Sequence, residues 1–195
     1  MRIGIVSDLH CNLAGLAQAL TLIGDVDELI CLGDSIWEYR FSNEIVGLLK
    51  ERGVRTILGN HEEGFLGPQG IRARQAAWID RSLLRWLAER PHRVEMRLGE
   101  KKLLAVHSTP WEPRGAYIYP HSSLLERFAE ADADFVLYGH THHQLVRRCG
   151  KVLVINPGSA GDARDSSNGR RLSCAVLDTV SEEVVVTDFP ESHAS

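Results

Sequence analysis

The first third of the chain alternates between short apolar runs and amphipathic segments, and this alternation limits the fold more than any other feature. Residues 2–7, 27–32 and 54–58 are short apolar runs, which is typical of strands buried in a sheet. Residues 12–23 and 43–52, which lie between them, carry apolar side chains at helical spacing. This order predicts a parallel sheet with right-handed crossover connections.

The rest of the chain predicts enough further structure to complete one α/β domain. Helices are predicted at residues 71–79, 83–88 and 122–131. Further strands are predicted at residues 93–98, 102–106, 135–138, 144–148, 151–155, 172–178 and 182–188. Because 195 residues suit one domain, we expect a single domain over residues 1–190, in which two sheets pack face to face with helices outside, and a polar tail at 191–195.

Composition excludes several classes of protein. Net charge is −4 and the pI is about 6.1, so no global basic field attracts nucleic acid or an anionic membrane. The apolar start of the chain is too short for a signal peptide, and no run approaches the ~18 apolar residues of a membrane span. The cysteines form no CxxC pair, which argues against a structural zinc site. We expect a cytoplasmic protein with no membrane and no strong nucleic-acid partner, and a homo-oligomer is compatible with the sequence.

Polar clusters follow five of the predicted strands, directly after the carboxyl end of each. The clusters are Ser7-Asp8-Leu9-His10, Gly33-Asp34, Gly59-Asn60-His61-Glu62, His107, and Gly139-His140-Thr141-His142. Taken singly, each has an ordinary explanation, such as a helix N-terminal charge, a turn or a loop histidine. In an open α/β sheet, however, ligands bind outside the carboxyl ends of the strands. The convergence of the clusters therefore predicts a functional site.

The residue types in these clusters suit divalent metal ions. Carboxylate oxygens and neutral imidazole nitrogens bind Mn, Fe, Co, Ni and Zn. The i, i+2 spacing of Asp8 with His10, and of His140 with His142, places both members of a pair on one side of an extended segment. The set is too large for one four-coordinate ion, whereas two ions sharing a carboxylate would clamp a phosphoryl group and activate water. A mononuclear metal-binding or storage protein is the alternative, but it leaves Asp34 and Asn60 without a role.

The order Asp-x-His, Gly-Asp, Gly-Asn-His-Glu, His and Gly-His-Thr-His resembles the signature of calcineurin-like metallophosphoesterases. The chain is similar in particular to their small bacterial and archaeal phosphodiesterase branch, which also carries an Asn-Pro-Gly-Ser segment like residues 156–159. The resemblance spans nearly the whole chain. It implies a four-layer αββα sandwich of two mixed β-sheets flanked by helices, with the metals at the strand ends and the Asn-Pro-Gly-Ser loop supporting them.

The resemblance also implies a role for each cluster residue. The ligands implied for two divalent metal ions are Asp8, His10 and His142 for one, and Asn60, His107 and His140 for the other, with Asp34 bridging the two. His61 would contact the phosphate and protonate the leaving oxygen, and the alternative is a supporting contact to Asp34. Manganese is the metal we expect first, while Fe, Zn, Ni and Co also fit the ligand set.

The activity implied is hydrolysis of a small or nucleotide-like phosphodiester by a metal-bridging hydroxide. A phosphomonoesterase of the same fold is an alternative. A protein-binding scaffold is another, since a retromer subunit uses this fold but lacks the histidine that stands here at His61. No Asp-Arg-Gly follows Asp34, which disfavours the phosphoprotein substrates of Ser/Thr phosphatases. Cys11 stands where close relatives have glycine, and we expect it to serve packing, with oxidation sensitivity as the alternative.

Aromatic and basic residues of the long loops are candidates for substrate contacts. The aromatic candidates are Trp37, Trp78, Trp111, Tyr117 and Tyr119. Each either stacks on a nucleobase or aryl group or belongs to the local core of its loop, and we favour the local core for any one of them. The polar candidates, each with an ordinary surface role as the alternative, are His121, His143, Arg114 and Arg164.

Overall fold

Three adjacent strands at one end of the first β-sheet are parallel, as the alternating pattern predicts. The strands of this sheet are β1 (Arg2–Val6), β2 (Glu28–Cys31), β3 (Arg55–Thr56), β9 (Leu172–Asp178) and β10 (Val184–Phe189). They lie in the order β10-β9-β1-β2-β3, where β1, β2 and β3 are parallel and β9 and β10 are added antiparallel. The computed structural model describes residues 1–112 and 115–191, so Arg114 and residues 192–195 of the predicted tail lie outside the described residues.

A second sheet has a parallel centre and an antiparallel strand at each edge, whereas the first sheet ends in the parallel strand β3. Its strands are β4 (Arg93–Leu98), β5 (Lys101–Val106), β6 (Phe135–Leu137), β7 (Gln144–Cys149) and β8 (Val152–Pro157). The order is β4-β5-β6-β8-β7, in which β5, β6 and β8 are parallel and each edge strand forms an antiparallel pair with its neighbour. All of the strands predicted from the sequence are therefore present, most of them with bounds shifted by one or two residues.

Apolar packing arranges these sheets in four layers. Side chains such as Ile5 and Leu137 fill the space between the two sheets. The outer face of the first sheet is covered by α1 (Leu13–Ile23) and α2 (Asn43–Glu51), whose buried side chains join a second apolar cluster. The outer face of the second sheet is covered by a 3₁₀ helix, Leu125–Glu130, and by loop residues. The structure is thus the αββα sandwich that was expected, held together by burial of apolar surface on both faces of each sheet.

The helical segments depart from the sequence prediction in three places. An unpredicted helix, α3 (Asn60–Leu66), begins in the Gly-Asn-His-Glu motif, where the sequence indicated a turn. The helix predicted over 71–79 is a single turn, α4 (Ile71–Arg74), because the Arg81 guanidinium binds the carbonyl oxygen of Arg74, which a longer helix would use internally. The helix predicted over 122–131 is only the 3₁₀ helix. The last helix, α5 (Arg81–Ala88), lies where it was predicted, and none of the helices in the described ranges is long and apolar enough to cross a membrane.

Asn156, at the end of β8, links the carboxyl ends of two neighbouring strands. Its side chain is fully buried. Its Nδ2 donates to the carbonyl oxygen of Gly139 at 2.9 Å and to the Thr141 hydroxyl at 3.1 Å, while its Oδ1 accepts from the Gly158 N–H at 2.9 Å. The segment that follows β6 is therefore held in place by the segment that ends β8.

We expect Asn156→Ala to lower the free energy of unfolding by roughly 1–3 kcal/mol, because it leaves buried donors and acceptors without partners. Asn168 is a matched control, since its side chain also makes three hydrogen bonds but is only partly buried. In Asn168→Ala, water replaces the lost hydrogen bonds. The free energy of unfolding should therefore fall by less than it does in Asn156→Ala. Urea unfolding of both variants measures the difference, and equal losses would contradict the proposed link.

Candidate metal centre

The side chains predicted to bind metal or substrate lie together at the carboxyl ends of the parallel strands. Those contributed by the first sheet are Asp8 and His10 after β1, Asp34 after β2, and Asn60 and His61 after β3. Those contributed by the second sheet are His107 after β5, and His140 and His142 after β6. All are buried except Asn60 and His61, which are partly exposed. The structure brings the eight side chains to one edge of the sandwich, and their roles as ligands stay a prediction.

Asp8, His10 and His142 form a first group of potential ligands. The Nε2 atoms of His10 and His142 lie 3.1 Å apart, and His142 Nε2 lies 3.4 Å from Asp8 Oδ1. The backbone carbonyl of Asp162 accepts from His142 Nδ1 at 2.9 Å. This outer contact fixes the ring so that Nε2 faces the group.

Asp34, His107 and His140 form a second group. His107 Nε2 lies 3.2 Å from Asp34 Oδ2, 3.2 Å from His140 Nδ1 and 3.0 Å from Asn60 Oδ1. The Nδ1 atom of His107 lies 2.7 Å from the carbonyl oxygen of Leu32, which orients Nε2 inward. Asp34 also belongs to a group with His10 and His61, so its carboxylate lies between the two sets of side chains.

The donor atoms fit two metal ions. Asp8 Oδ1 is buried and accepts no hydrogen bond from any described residue, although Oδ2 of the same carboxylate accepts from the Ser7 hydroxyl at 2.6 Å and the His140 N–H at 3.0 Å. Facing imidazole nitrogens at these separations need a proton or a cation between them. Metal–nitrogen bonds of about 2.0–2.1 Å bring two nitrogens of one ion to a comparable separation.

Burial and local charge set the ionisation of the potential ligands. Burial lowers the pKa of His10 to about 2 and, together with the charge of His107, lowers the pKa of His140 to about 4, so both rings are neutral near pH 7. Burial opposes ionisation of Asp34, but His107 and His61 outweigh it and hold the pKa of that carboxyl well below its usual range. Burial also lowers the pKa of His107, yet Asp34 raises it to about 10. A proton on His107 thus balances the Asp34 charge in the metal-free protein, a role that a bound cation takes over.

The backbone of the centre is strained. Six of the eight described non-glycine residues with positive φ are Asp8 (53°), His10 (45°), Cys11 (62°), Asp34 (52°), His140 (67°) and His142 (58°). Such a conformation costs on the order of 1–3 kcal/mol for each residue. It is held by backbone hydrogen bonds between the loops after β1 and β2, from Asp8 N–H to the Gly33 carbonyl at 3.1 Å and from His10 N–H to the Asp34 carbonyl at 2.9 Å. Strain concentrated at this edge is typical of a functional site.

Glu62 is a supporting residue whose role the sequence prediction missed. Its buried carboxylate accepts from the backbone N–H groups of Gly59 at 2.9 Å, Asp34 at 2.8 Å and Ser35 at 2.6 Å. It therefore joins the start of α3 to the loop that carries Asp34. Gly59 is required beside it, because a Cβ there would lie 2.2 Å from Asp34 Oδ1. The glutamate of the Gly-Asn-His-Glu motif was the only signal in the sequence.

Glu38 is a second residue that the prediction missed. Its Oε2 lies 2.7 Å from Nδ1 of His61, and His61 Nε2 lies 3.9 Å from Asp34 Oδ2. Backbone hydrogen bonds between Trp37 and Arg40 close the turn that presents Glu38. No pattern in the sequence pointed to this contact, because Glu38 lies on the irregular loop after Asp34.

The loop aromatic residues divide into two sets. Trp37 stacks on His10 at a ring distance of 4.0 Å, and Tyr117 stacks on His140 at 3.8 Å, so both adjoin the centre. Trp111 packs against Phe128 at 5.1 Å in the local core, as we expected. Trp78 is 58% exposed and its carbonyl accepts from the Asn43 side chain.

The remaining candidates have local partners. Arg164 lies 2.6 Å from Asp162 and forms an ion pair with it. The Cys11 thiol donates to the carbonyl of Arg40 at 3.3 Å, and burial raises the pKa of the thiol, which favours the packing role. His121 and His143 both contact the ring of Tyr119.

Comparison with known proteins agrees with the motifs. Residues 1–182 match the calcineurin-like phosphoesterase superfamily domain. Protein MJ0912 of Methanocaldococcus jannaschii is 28% identical over 194 residues, covering 85% of this chain and 79% of that protein. Phosphodiesterase MJ0936 of the same organism is 25% identical over 161 residues, covering 81% of this chain and 83% of that protein. A metallophosphoesterase structure from Sphaerobacter thermophilus superposes with a TM-score of 0.78 at 26% identity, over 98% of this chain and 90% of that chain. The resemblance inferred from the motifs is confirmed, and the chain belongs to the calcineurin-like phosphoesterase superfamily, a family of metal-dependent hydrolases.

Proposed function

We propose that this protein is a dinuclear metal-dependent phosphodiesterase that hydrolyses small or nucleotide-like phosphate esters. The observation that carries the proposal is the position of Asp34, whose carboxylate belongs to one group with His10 and His61 and to another with His107 and His140. A carboxylate shared between two groups suits a pair of ions better than one. The similarity to a protein named as a phosphodiesterase supports a diester substrate.

The chain supplies a complete set of ligands for two ions. The proposed ligands are Asp8, His10 and His142 for one ion, and Asn60, His107 and His140 for the other, with Asp34 shared between them. Bound metal ions would supply Lewis acidity at the phosphoryl oxygens and lower the pKa of water. Manganese is our first proposal, and Fe, Zn, Ni and Co also suit these oxygen and nitrogen donors.

His61 is positioned to donate a proton to the leaving oxygen. It is the partly exposed histidine beside the buried ligands, with 16% of its side chain accessible. Oε2 of Glu38 lies 2.7 Å from its Nδ1 atom, a short polar contact outside hydrogen-bond geometry, and the rings of Trp37 and His10 contact it edge-on at 5.0 and 4.9 Å. These contacts orient the ring, so that Nε2 faces the centre. We propose His61 as the general acid and Glu38 as the residue that positions it.

Removal of metal tests the proposed reaction. Protein stripped of metal should cleave neither bis(p-nitrophenyl) phosphate nor p-nitrophenyl phosphate, and added Mn²⁺ should restore cleavage of the diester more than of the monoester. Release of p-nitrophenolate is the measurement. Restored cleavage of the monoester alone would indicate a phosphomonoesterase. No turnover with any divalent ion would instead favour a protein-binding scaffold.

Asp34→Ala should lose metal and activity together, because the shared carboxylate contributes to both groups of ligands. Metal analysis and turnover of bis(p-nitrophenyl) phosphate are measured on the same sample. Asp132→Ala is the control, since the Asp132 side chain is 83% exposed and pairs with Lys102 at the surface. Full metal content in Asp34→Ala would rule out a bridging role.

His61→Ala should keep both metals and lose turnover by about 100-fold or more, which is the usual contribution of a general acid. The loss should be larger for methyl phenyl phosphate than for methyl p-nitrophenyl phosphate, because the more basic phenolate leaving group needs the proton more. Glu38→Gln should show the same selectivity with a loss of roughly 10-fold, as for other partners that orient a histidine. Equal losses on the two substrates would contradict the proton-donor role of His61.

A further inference from the structure

Three aromatic rings extend from the metal centre across the protein surface. Tyr117, Tyr119 and His121, which we call the aromatic row, occupy alternate positions of one loop. The Tyr117 and Tyr119 rings lie 6.2 Å apart and within 14° of parallel, and the Tyr119 and His121 rings lie 5.9 Å apart and within 12° of parallel. The inner end of the row is the stack of Tyr117 on His140, at 3.8 Å. The row therefore begins at a proposed metal ligand.

The backbone of the loop keeps the row facing outward. Ile118, between the two tyrosines, is buried, and its carbonyl oxygen accepts from the buried Tyr138 hydroxyl at 2.9 Å. The Tyr119 carbonyl accepts from the Ser122 N–H at 2.9 Å. Side chains at successive positions of an extended segment point to opposite sides, so anchoring Ile118 in the core turns its two neighbours away from it.

The exposure of Tyr117 argues against a purely structural role for the row. Its side chain is 52% exposed, whereas Trp111, an aromatic residue of the same loop region, packs on Phe128 and is covered by the Arg127 guanidinium at 4.6 Å. A tyrosine that served only as loop core would be buried in the same way. Tyr117 instead presents aromatic surface to solvent directly beside the proposed catalytic metals.

We propose that the aromatic row is a binding subsite for the base of a nucleotide ester, which rests on the proposed phosphodiesterase function. Every nucleobase has a flat face that stacks on aromatic side chains. The row combines such faces with polar atoms, namely the tyrosine hydroxyls and the His121 ring, and His143 contacts Tyr119 edge-on at 5.0 Å. A heteroaromatic base uses both features, while a hydrocarbon ring uses only the first.

The subsite receives the ester group that stays on phosphorus after cleavage. His61, the proposed proton donor to the leaving oxygen, contacts Trp37 and His10, whereas the row contacts His140. The leaving group is therefore placed on the His10 side of the centre and the retained group on the His140 side. The retained product is accordingly a nucleoside monophosphate.

The test compares two diesters that share a leaving group, methyl p-nitrophenyl phosphate and the p-nitrophenyl ester of thymidine monophosphate, with the metal-loaded protein. The KM for the thymidine diester should be lower by about tenfold or more, the usual effect of stacking one base. Tyr117→Leu and Tyr119→Leu should bring the ratio of the two KM values close to one, while Tyr117→Phe keeps it. Trp78→Leu, which removes an exposed aromatic residue elsewhere, is the control that keeps both KM values. Thermal melting checks that each variant is folded.

Calorimetric titration with the reaction products measures binding at the proposed subsite without requiring hydrolysis. Thymidine monophosphate should bind more tightly than deoxyribose phosphate, and Tyr119→Leu should remove that preference. The proposed subsite would be overturned by equal KM values for the two diesters in the unmodified protein, or by a KM ratio that is unchanged in both leucine variants. Either result would leave the proposed phosphodiesterase activity intact. No hydrolysis of either diester, together with a Tyr119-dependent preference for thymidine monophosphate, would overturn the proposed reaction and support the base subsite.

Discussion

The packing of the two sheets against each other is the constraint on which the rest of the structure depends. Apolar side chains such as Ile5, Leu137 and Ile155 fill the space between the sheets, and burial of such surface is the main favourable term in folding. The packing aligns the parallel strands of both sheets, so that their carboxyl ends open at one edge. Asp34 comes from one sheet and His107 from the other, and they meet only because the apolar faces fix the sheets in this register.

The cluster at this edge gathers groups that weaken a fold when taken singly. Its residues combine buried carboxylates, desolvated imidazoles and left-handed backbone conformations. Hydrogen bonds within the same cluster offset these unfavourable contributions. Glu62 accepts hydrogen bonds from the loop that carries Asp34, and the Ser159 hydroxyl donates to the Asp8 carbonyl at 2.7 Å. Asn156 and Ser159 belong to the Asn-Pro-Gly-Ser segment, so the supporting role expected of that loop is confirmed by these contacts. The positions of the proposed ligands are therefore fixed by contacts within the protein, an arrangement that favours metal binding.

The two sides of the centre differ in chemistry. On the side of His10, the Trp37 ring and the His61–Glu38 pair lie beside the proposed ligands, and His61 is the proposed proton donor. On the side of His140, the aromatic row offers stacking surface. This division suits a phosphodiester, whose two ester groups have different fates in hydrolysis. It also accounts for the loop aromatic residues more fully than local packing does, since Trp111 belongs to a local core and Tyr117 does not.

Local patterns in the sequence were sufficient for the strands and for the polar residues that follow them. Strands such as β1 and β5 could be predicted because a buried strand is an apolar run whatever its neighbours are, and the parallel order follows from crossover geometry. The extent of α4 was predicted less well, because the carbonyl of Arg74 that would extend it is bound by a side chain seven residues away.

Only the tertiary structure decided how the candidate centre is held together and which side chains surround it. The Glu62 contacts with Asp34, the Glu38 contact with His61 and the stack of Tyr117 on His140 each join residues more than twenty positions apart. The sequence thus determined which chemical groups reach the edge of the sheets, since strand ends are local features. Their distances, ionisation and partners are set by packing between segments remote in the chain, which no local pattern records.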